Sequence, residues 1–202
     1  MPCRSEKGER DMEARALLDA LHVAERLKDE TRHCYTSGGR HESVAEHSWR
    51  IALMAYWLKD SFPEIDVDKV IRMCLIHDLG ECFTGDIPSF LKTEGAEQKE
   101  QSALRAWTAS LPEPFGTEMK QLYEEMDALQ TPEAKLYKSL DKLEAVIQHN
   151  ESDIHTWLPR EYSLNLSYAD DTVAWSSALR KLREEIRSDT EEKIAAAGGM
   201  PV

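Results

Sequence analysis

The stretch from residue 131 to residue 149 constrains this chain more than any other. Thr131-Pro132-Glu133 is a strong helix start: a threonine to cap the amides, a proline at the first helical position and an acid in the first turn. Behind it Leu136, Tyr137, Leu140, Leu143, Val146 and Ile147 make an apolar face too wide for a surface helix, so this helix belongs in the middle of a core. Asp141 stands among them. An inward carboxylate is costly to bury alone, so it must be paired, protonated or bound to a metal ion.

Helical periodicity runs through nearly all of the remaining sequence, with no internal repeat and no stretch that reads as a strand. A first helix is expected over residues 12 to about 27, with Leu17, Leu18, Leu21 and Ala24 on one stripe, followed by a polar segment over 28–42. Ser43-Val-Ala-Glu46 is a capping-box sequence opening a second helix, whose apolar face carries Val44, His47, Ile51, Met54, Ala55 and Leu58. A third opens at Pro63 and Asp66 and turns Val70, Ile71, Cys74, His77 and Asp78 inward. Gly80 and Gly85-Asp-Ile-Pro88 mark a turn-rich connection, and two more helices are expected over about 93–111 and 117–129. After a loop through Tyr168, a last helix over about 170–187 carries Val173, Leu179 and Ile186, which pack on the chain's own core or on another subunit. Residues 189–202, with Gly198-Gly199 and no core pattern, are expected to form a mobile tail.

The fold class is therefore all-α. A chain of 202 residues buries roughly 70% of the surface its unfolded state exposes, enough for one core. A single domain is expected over 1–202, with its core over about 13–150 and an extension over about 151–188.

Charge and composition remove several function classes. A formal charge of −13 argues against a nucleic-acid polymer as partner, because binding one needs clustered Lys and Arg. Any anionic substrate must be small and met by a local positive patch. No apolar run approaches the ~18 residues of a membrane span, and residues 1–10 lack the apolar centre of a signal peptide. Cys3, Cys34, Cys74 and Cys82 form no CxxC pair and no disulfide-framework spacing. The expected location is the cytoplasm.

Three elements place ionisable groups on otherwise apolar faces: His47, the His77-Asp78 pair, and Asp141. Each has a plainer role if taken alone, His47 as a satisfied core histidine and Asp141 as a partner of Lys138 or Lys142. Together they are two imidazoles and two carboxylates converging from three helices, a mixed N/O set suited to one divalent Mn, Co, Fe, Ni or Zn ion, with Mg admissible. Four protein ligands leave open positions at five or six coordination, and a bound ion lowers the pKa of water towards ~7. A small basic cluster, Arg32, His33, Arg40 and His41, precedes the second helix, and Lys92 is a further cation. The fork of an arginine matches phosphate oxygens.

The order His47, His77-Asp78, Asp141 in a helical chain resembles the HD-domain superfamily of metal-dependent phosphohydrolases. More narrowly, Ser-Val-Ala-Glu-His-Ser (43–48), Ile-His-Asp-Leu-Gly-Glu (76–81), Thr-Gly-Asp-Ile-Pro (84–88) and Asp-Lys-Leu-Glu-Ala (141–145) resemble the YfbR-type 5'-deoxynucleotidases. The resemblance spans roughly residues 13–150. It implies a core of about five helices with additional C-terminal helices, a homodimer, one divalent ion on His47, His77, Asp78 and Asp141, and hydrolysis of a nucleoside 5'-monophosphate or similar small phosphomonoester. It also implies catalytic duty for Glu81 and Asp86. The residues agree: Glu81 lies one turn beyond Asp78, and Asp86 follows Gly85, whose freedom permits a tight turn. One carboxylate can act on the attacking water and the other on the leaving oxygen, in either assignment. Asp86 also suits an Asx turn or a cap.

Arg32 stands where the resemblance puts a phosphate-binding arginine, with Lys92 a second candidate. The next residue is His33, where the best-known deoxynucleotidases carry a tryptophan against the sugar 2' position, and an imidazole there would tolerate a 2'-hydroxyl. Trp157 and Tyr162 either stack on a base or cover the core. Two other readings stay open: a phosphodiester or nucleoside triphosphate hydrolase of this fold, and a non-catalytic metal- or nucleotide-binding regulator.

Overall fold

In the computed structural model, which describes residues 13–88 and 90–199, the chain runs α1 (Ala14–Ala24), β1 (Thr31–Tyr35), β2 (His41–Ser43), α2 (Val44–Leu58) and α3 (Val67–Ile76). It continues through α4 (Glu81–Thr84), α5 (Glu94–Ser110), α6 (Phe115–Ala128), α7 (Pro132–Glu151), α8 (Pro159–Ser167), α9 (Asp170–Val173) and α10 (Ser177–Ala196). The fold is helical, with one small sheet.

The central helix forms for the reasons its sequence gives. Thr131 Oγ1 accepts from the Ala134 amide at 3.2 Å and Pro132 fills the first turn. Along α7, Leu136, Leu140, Leu143 and Val146 are fully buried, meeting α2, α3, α6 and α10. Each such side chain contributes about 1.5–3 kcal/mol relative to an exposed one. On α2 the capping box is complete: Ser43 Oγ accepts from the Glu46 amide and Glu46 Oε2 accepts from the Ser43 amide at 2.9 Å. Val173, Leu179 and Ile186 are buried in the same cluster as Ile51, Met73 and Leu140, so the C-terminal helices pack on their own chain's core.

Four expectations need correction. Residues 31–35 and 41–43 are not irregular but form an antiparallel hairpin, pairing Thr31 with Ser43 and Tyr35 with His41. The stretch before Tyr168 contains α8, and the last helix starts at Ser177, capped by Ser176, rather than at Asp170. It also continues to Ala196, with Thr190 and Ile194 buried, so residues 189–196 are structured rather than a mobile tail. The Leu17, Leu18 and Leu21 stripe of α1 stays exposed instead of entering the core.

The third helix ends sooner than its stripe suggests. After Ile76 the chain tightens into i→i+3 hydrogen bonds, Leu79 N–H to Ile76 O at 3.1 Å and Glu81 N–H to Asp78 O at 3.0 Å. Side chains three apart eclipse in such a turn, which sets Asp78 and Glu81 on one side.

Candidate metal centre

Three elements deliver the four predicted donors to one place. His47 comes from α2, His77 and Asp78 from the turn after α3, and Asp141 from the middle of α7. His77 Nε2 lies 2.9 Å from Asp78 Oδ2 and 3.8 Å from Asp141 Oδ1; His47 Nε2 lies 3.2 Å from Asp141 Oδ1 and 4.0 Å from Asp78 Oδ2. Donors held about 2.1 Å from one ion are spaced about 3 Å apart when adjacent, which this set approaches.

Both imidazoles are turned so that a lone pair faces this point. His77 Nδ1–H donates to the Cys74 carbonyl at 2.9 Å, leaving Nε2 buried and without a hydrogen-bond partner, although a carboxylate oxygen lies 2.9 Å away. His47 Nδ1–H donates to Glu144 Oε2 at 2.5 Å, and Glu144 is fully buried. A histidine whose rear nitrogen is fixed by a carbonyl or carboxylate is oriented as metal ligands are. Without a cation the pocket takes a proton instead: burial and the Arg32 guanidinium oppose it, but Glu144 and Asp141 push the His47 imidazole up to about 9. A buried lone pair aimed at carboxylates, in an N/O donor set, fits a divalent ion.

Glu81 and Asp86 stand beside the donors. Burial pushes Glu81 up to about 10, helped by Asp78, Asp86 and Glu100, and its Oε2 is buried without a partner. Burial also raises Asp86, against the pull of Arg32, His33 and Lys92. Gly85 takes φ +80° at this turn, where a Cβ would come within 3.0 Å of Glu30 Oε1, the atom that accepts the Asp86 amide. The glycine is therefore favoured by its conformation, and a side chain there would also press on the Glu30 carboxylate.

The predicted cations are not free loop charges. Arg32 Nη1 lies 3.2 Å from both Glu42 Oε2 and Glu144 Oε2, so the arginine is anchored on the carboxylate that orients His47. Lys92 pairs with Glu100 at 2.7 Å. His33 Nε2 lies 2.7 Å from Glu161 Oε1 on α8. Arg40 instead pairs with Glu46 on the surface. A cleft of about 860 Å³ opens from the His77 side, lined there by Lys92, Glu100, Tyr123, Tyr137 and Lys138. Trp157 is buried and donates Nε1–H to the His149 carbonyl at 2.9 Å, so it covers the core rather than offering a face to a base.

Sequence reasoning missed Glu144 and Glu42, while the Lys138 pairing it offered for Asp141 is present, Nζ lying 2.7 Å from Asp141 Oδ2. Glu144 follows Asp141 by three places on the Leu140–Leu143 face. A second acid on that buried stripe was the available signal.

A family model described as HD domain matches residues 24–183, well over half of the chain. The chain belongs to the HD domain family. Over 194 residues this HD-domain chain is 31% identical to human 5'-deoxynucleotidase HDDC2, covering 93% of each. It is 34% identical to the Bos taurus protein of the same name over 194 residues, 93% of this chain and 92% of that one. Among solved HD-domain structures, a predicted metal-dependent phosphohydrolase from Magnetospirillum magnetotacticum MS-1 superposes with a TM-score of 0.78 at 25% identity, covering 96% of this chain and 99% of that one.

Proposed function

We infer that this protein is a divalent-metal-dependent 5'-nucleotidase that releases phosphate from nucleoside 5'-monophosphates, deoxynucleotides among them. The observation that carries the reading is the His77 Nε2 lone pair, buried and unpartnered where Asp78, Asp141 and His47 converge. The substrate class follows the 5'-deoxynucleotidase relatives, matched along nearly their whole length.

His47, His77, Asp78 and Asp141 would hold the ion, of the Mn, Co, Fe, Ni, Zn or Mg class. When bound, it supplies positive charge to the phosphate and acidifies water. Glu144 fixes the His47 ring and the Cys74 carbonyl fixes His77, so neither ligand has to reorganise. Burial raises both Glu81 and Asp86, so either can carry a proton more readily than an exposed acid. One then accepts a proton from the attacking water while the other donates to the leaving ribose oxygen. Arg32, pinned by Glu42 and Glu144, presents its remaining donors to the phosphate, with Lys92 as a second cation. His33 faces the sugar while tied to Glu161.

The test is phosphate release from deoxy- and ribonucleoside monophosphates, with Mn, Co, Ni, Zn and Mg in turn and with chelator. Metal-dependent release from monophosphates, absent with phosphodiesters and triphosphates, is the expected result. Tight nucleotide binding without turnover would sink the reading. A homodimer is part of the proposal, supported by the exposed Trp49, Tyr56 and Trp57 on α2 and checked by sedimentation. A cytoplasmic location is supported by the free, buried Cys34, Cys74 and Cys82, while Cys3 lies outside the described residues. Among those residues no helix is long and apolar enough to cross a membrane.

A further inference from the structure

His33, His149 and Glu161 bring three ligand atoms within 4.8 Å of one another, and none of the three belongs to the centre described above. They come from β1, the end of α7 and α8. The geometry repeats the features that mark His77. His149 Nδ1–H donates to the Ala145 carbonyl at 2.8 Å, which fixes the tautomer and leaves Nε2 with a lone pair. That Nε2 is buried, makes no hydrogen bond, and lies 3.2 Å from Glu161 Oε1. The same carboxylate oxygen is 2.7 Å from His33 Nε2.

The carboxylate is itself aimed. Glu161 Oε2 accepts the Leu158 amide at 2.7 Å, which turns Oε1 to the two rings. A ring nitrogen and a carboxylate oxygen 3.2 Å apart need a positive charge between them, either a proton or a metal ion. Tetrahedral zinc, with ligand bonds of about 2.0–2.2 Å, sets its donors about 3.3 Å apart. Trp157, its ring edge-on to His149 at 5.9 Å, and Phe90, edge-on to His33 at 5.4 Å, wall the cluster with aromatic surface.

We propose that His33, His149 and Glu161 form a second divalent-cation site, of the zinc class, that clamps α8 to β1 and α7. Two imidazoles and one carboxylate are the borderline donor set that zinc selects. Three protein ligands leave a fourth position, and it falls on the side of His33, the one member of the three with substantial exposure. The clamp fixes the ring that follows Arg32, so the ion also sets where His33 stands beside the nucleotide position.

The test separates this site from the first by removing the first. The full-length Asp78→Ala/Asp141→Ala protein, loaded with zinc and dialysed, is analysed for metal by mass spectrometry. One equivalent is expected to remain, and Co²⁺ in its place is expected to give the intense visible bands of a four-coordinate site. Adding His149→Ala, or Glu161→Gln where the alanine variant fails to fold by circular dichroism, is expected to weaken zinc at least 100-fold. Absence of bound zinc in the double variant would overturn the proposal and leave a hydrogen-bonded His–Glu–His chain. Zinc that persists unchanged after the further substitution would overturn it too. Neither result depends on whether the enzyme hydrolyses nucleotides.

Discussion

The two histidine–carboxylate clusters share a carbonyl-backed imidazole, His77 in one and His149 in the other, but the first adds an imidazole of a different kind. His47 is backed by a buried carboxylate, Glu144, and faces two more, Asp78 and Asp141. His149 is backed by a neutral carbonyl and faces one carboxylate, Glu161. A carboxylate behind an imidazole makes its front nitrogen a stronger base and ligand than a carbonyl does. The first cluster also has Glu81 and Asp86 beside it, whereas the second is walled by Trp157 and Phe90. Similar donor atoms would thus serve two ends: acids crowd round the first cluster, as proton transfer requires, and aromatic rings close in on the second, which ties α8 to β1 and α7.

The largest effect that tests this contrast is expected from Asp78→Ala. Phosphate release should fall to background, on the order of 10⁴-fold, together with loss of the catalytic metal; retained turnover in a metal-free variant would break the contrast at once. Next comes Glu81→Ala, which removes a proton carrier but no donor. Turnover should drop about 10²–10⁴-fold while metal content stays that of the parent protein. Metal lost along with activity would make Glu81 a ligand.

Glu144→Gln keeps the hydrogen bond to His47 but removes the charge behind it. Metal affinity should weaken about 10–100-fold by titration calorimetry, and an unchanged affinity would mean the backing carboxylate counts for no more than a carbonyl.

The smallest effect belongs to a plain ion pair far from both clusters. Lys69 Nζ lies 2.8 Å from Glu125 Oε1. Burial acts against it, but Lys69 and Thr131 hold the Glu125 carboxyl below its ordinary value. A depressed folded pKa gives stability that is present above the unfolded value, about 4.3, and is lost as pH falls through the folded one. Glu125→Gln should therefore cost about 0.2–1 kcal/mol at pH 7 in denaturant melts, with the difference vanishing in acid. A difference that persists there would point to packing rather than charge.

Legibility followed the polarity of what each element buries. α2, α3 and α7 could be read because their stripes are Leu, Ile and Val between recognisable caps. The hairpin could not, because its buried or half-buried positions include Arg32, Cys34 and Glu42, which imitate a polar loop. α8 carries the proline of a helix start at Pro159, yet its buried residues are Glu161 and Asn165, so no apolar stripe announces it. α10 runs past residue 187 on the strength of Thr190, a buried hydroxyl that bonds Asn150 Oδ1 at 3.0 Å. Pattern reading assumes an apolar interior. It singled out His47, His77, Asp78 and Asp141 because these interrupt apolar faces; it passed over Glu144 because that acid acts through His47, and over Glu161 because α8 shows no apolar stripe for it to interrupt.

A single oxygen, Glu144 Oε2, accepts from both His47 Nδ1 and Arg32 Nη1. The proposed metal ligand and the proposed phosphate contact are therefore joined through one atom. Arg32 keeps Glu42 as a second anchor at 3.2 Å, so loss of Glu144 would release the His47 ring outright but leave the guanidinium on one carboxylate. A replacement at position 144 must therefore still accept from His47, a demand that Glu42 cannot meet in its place.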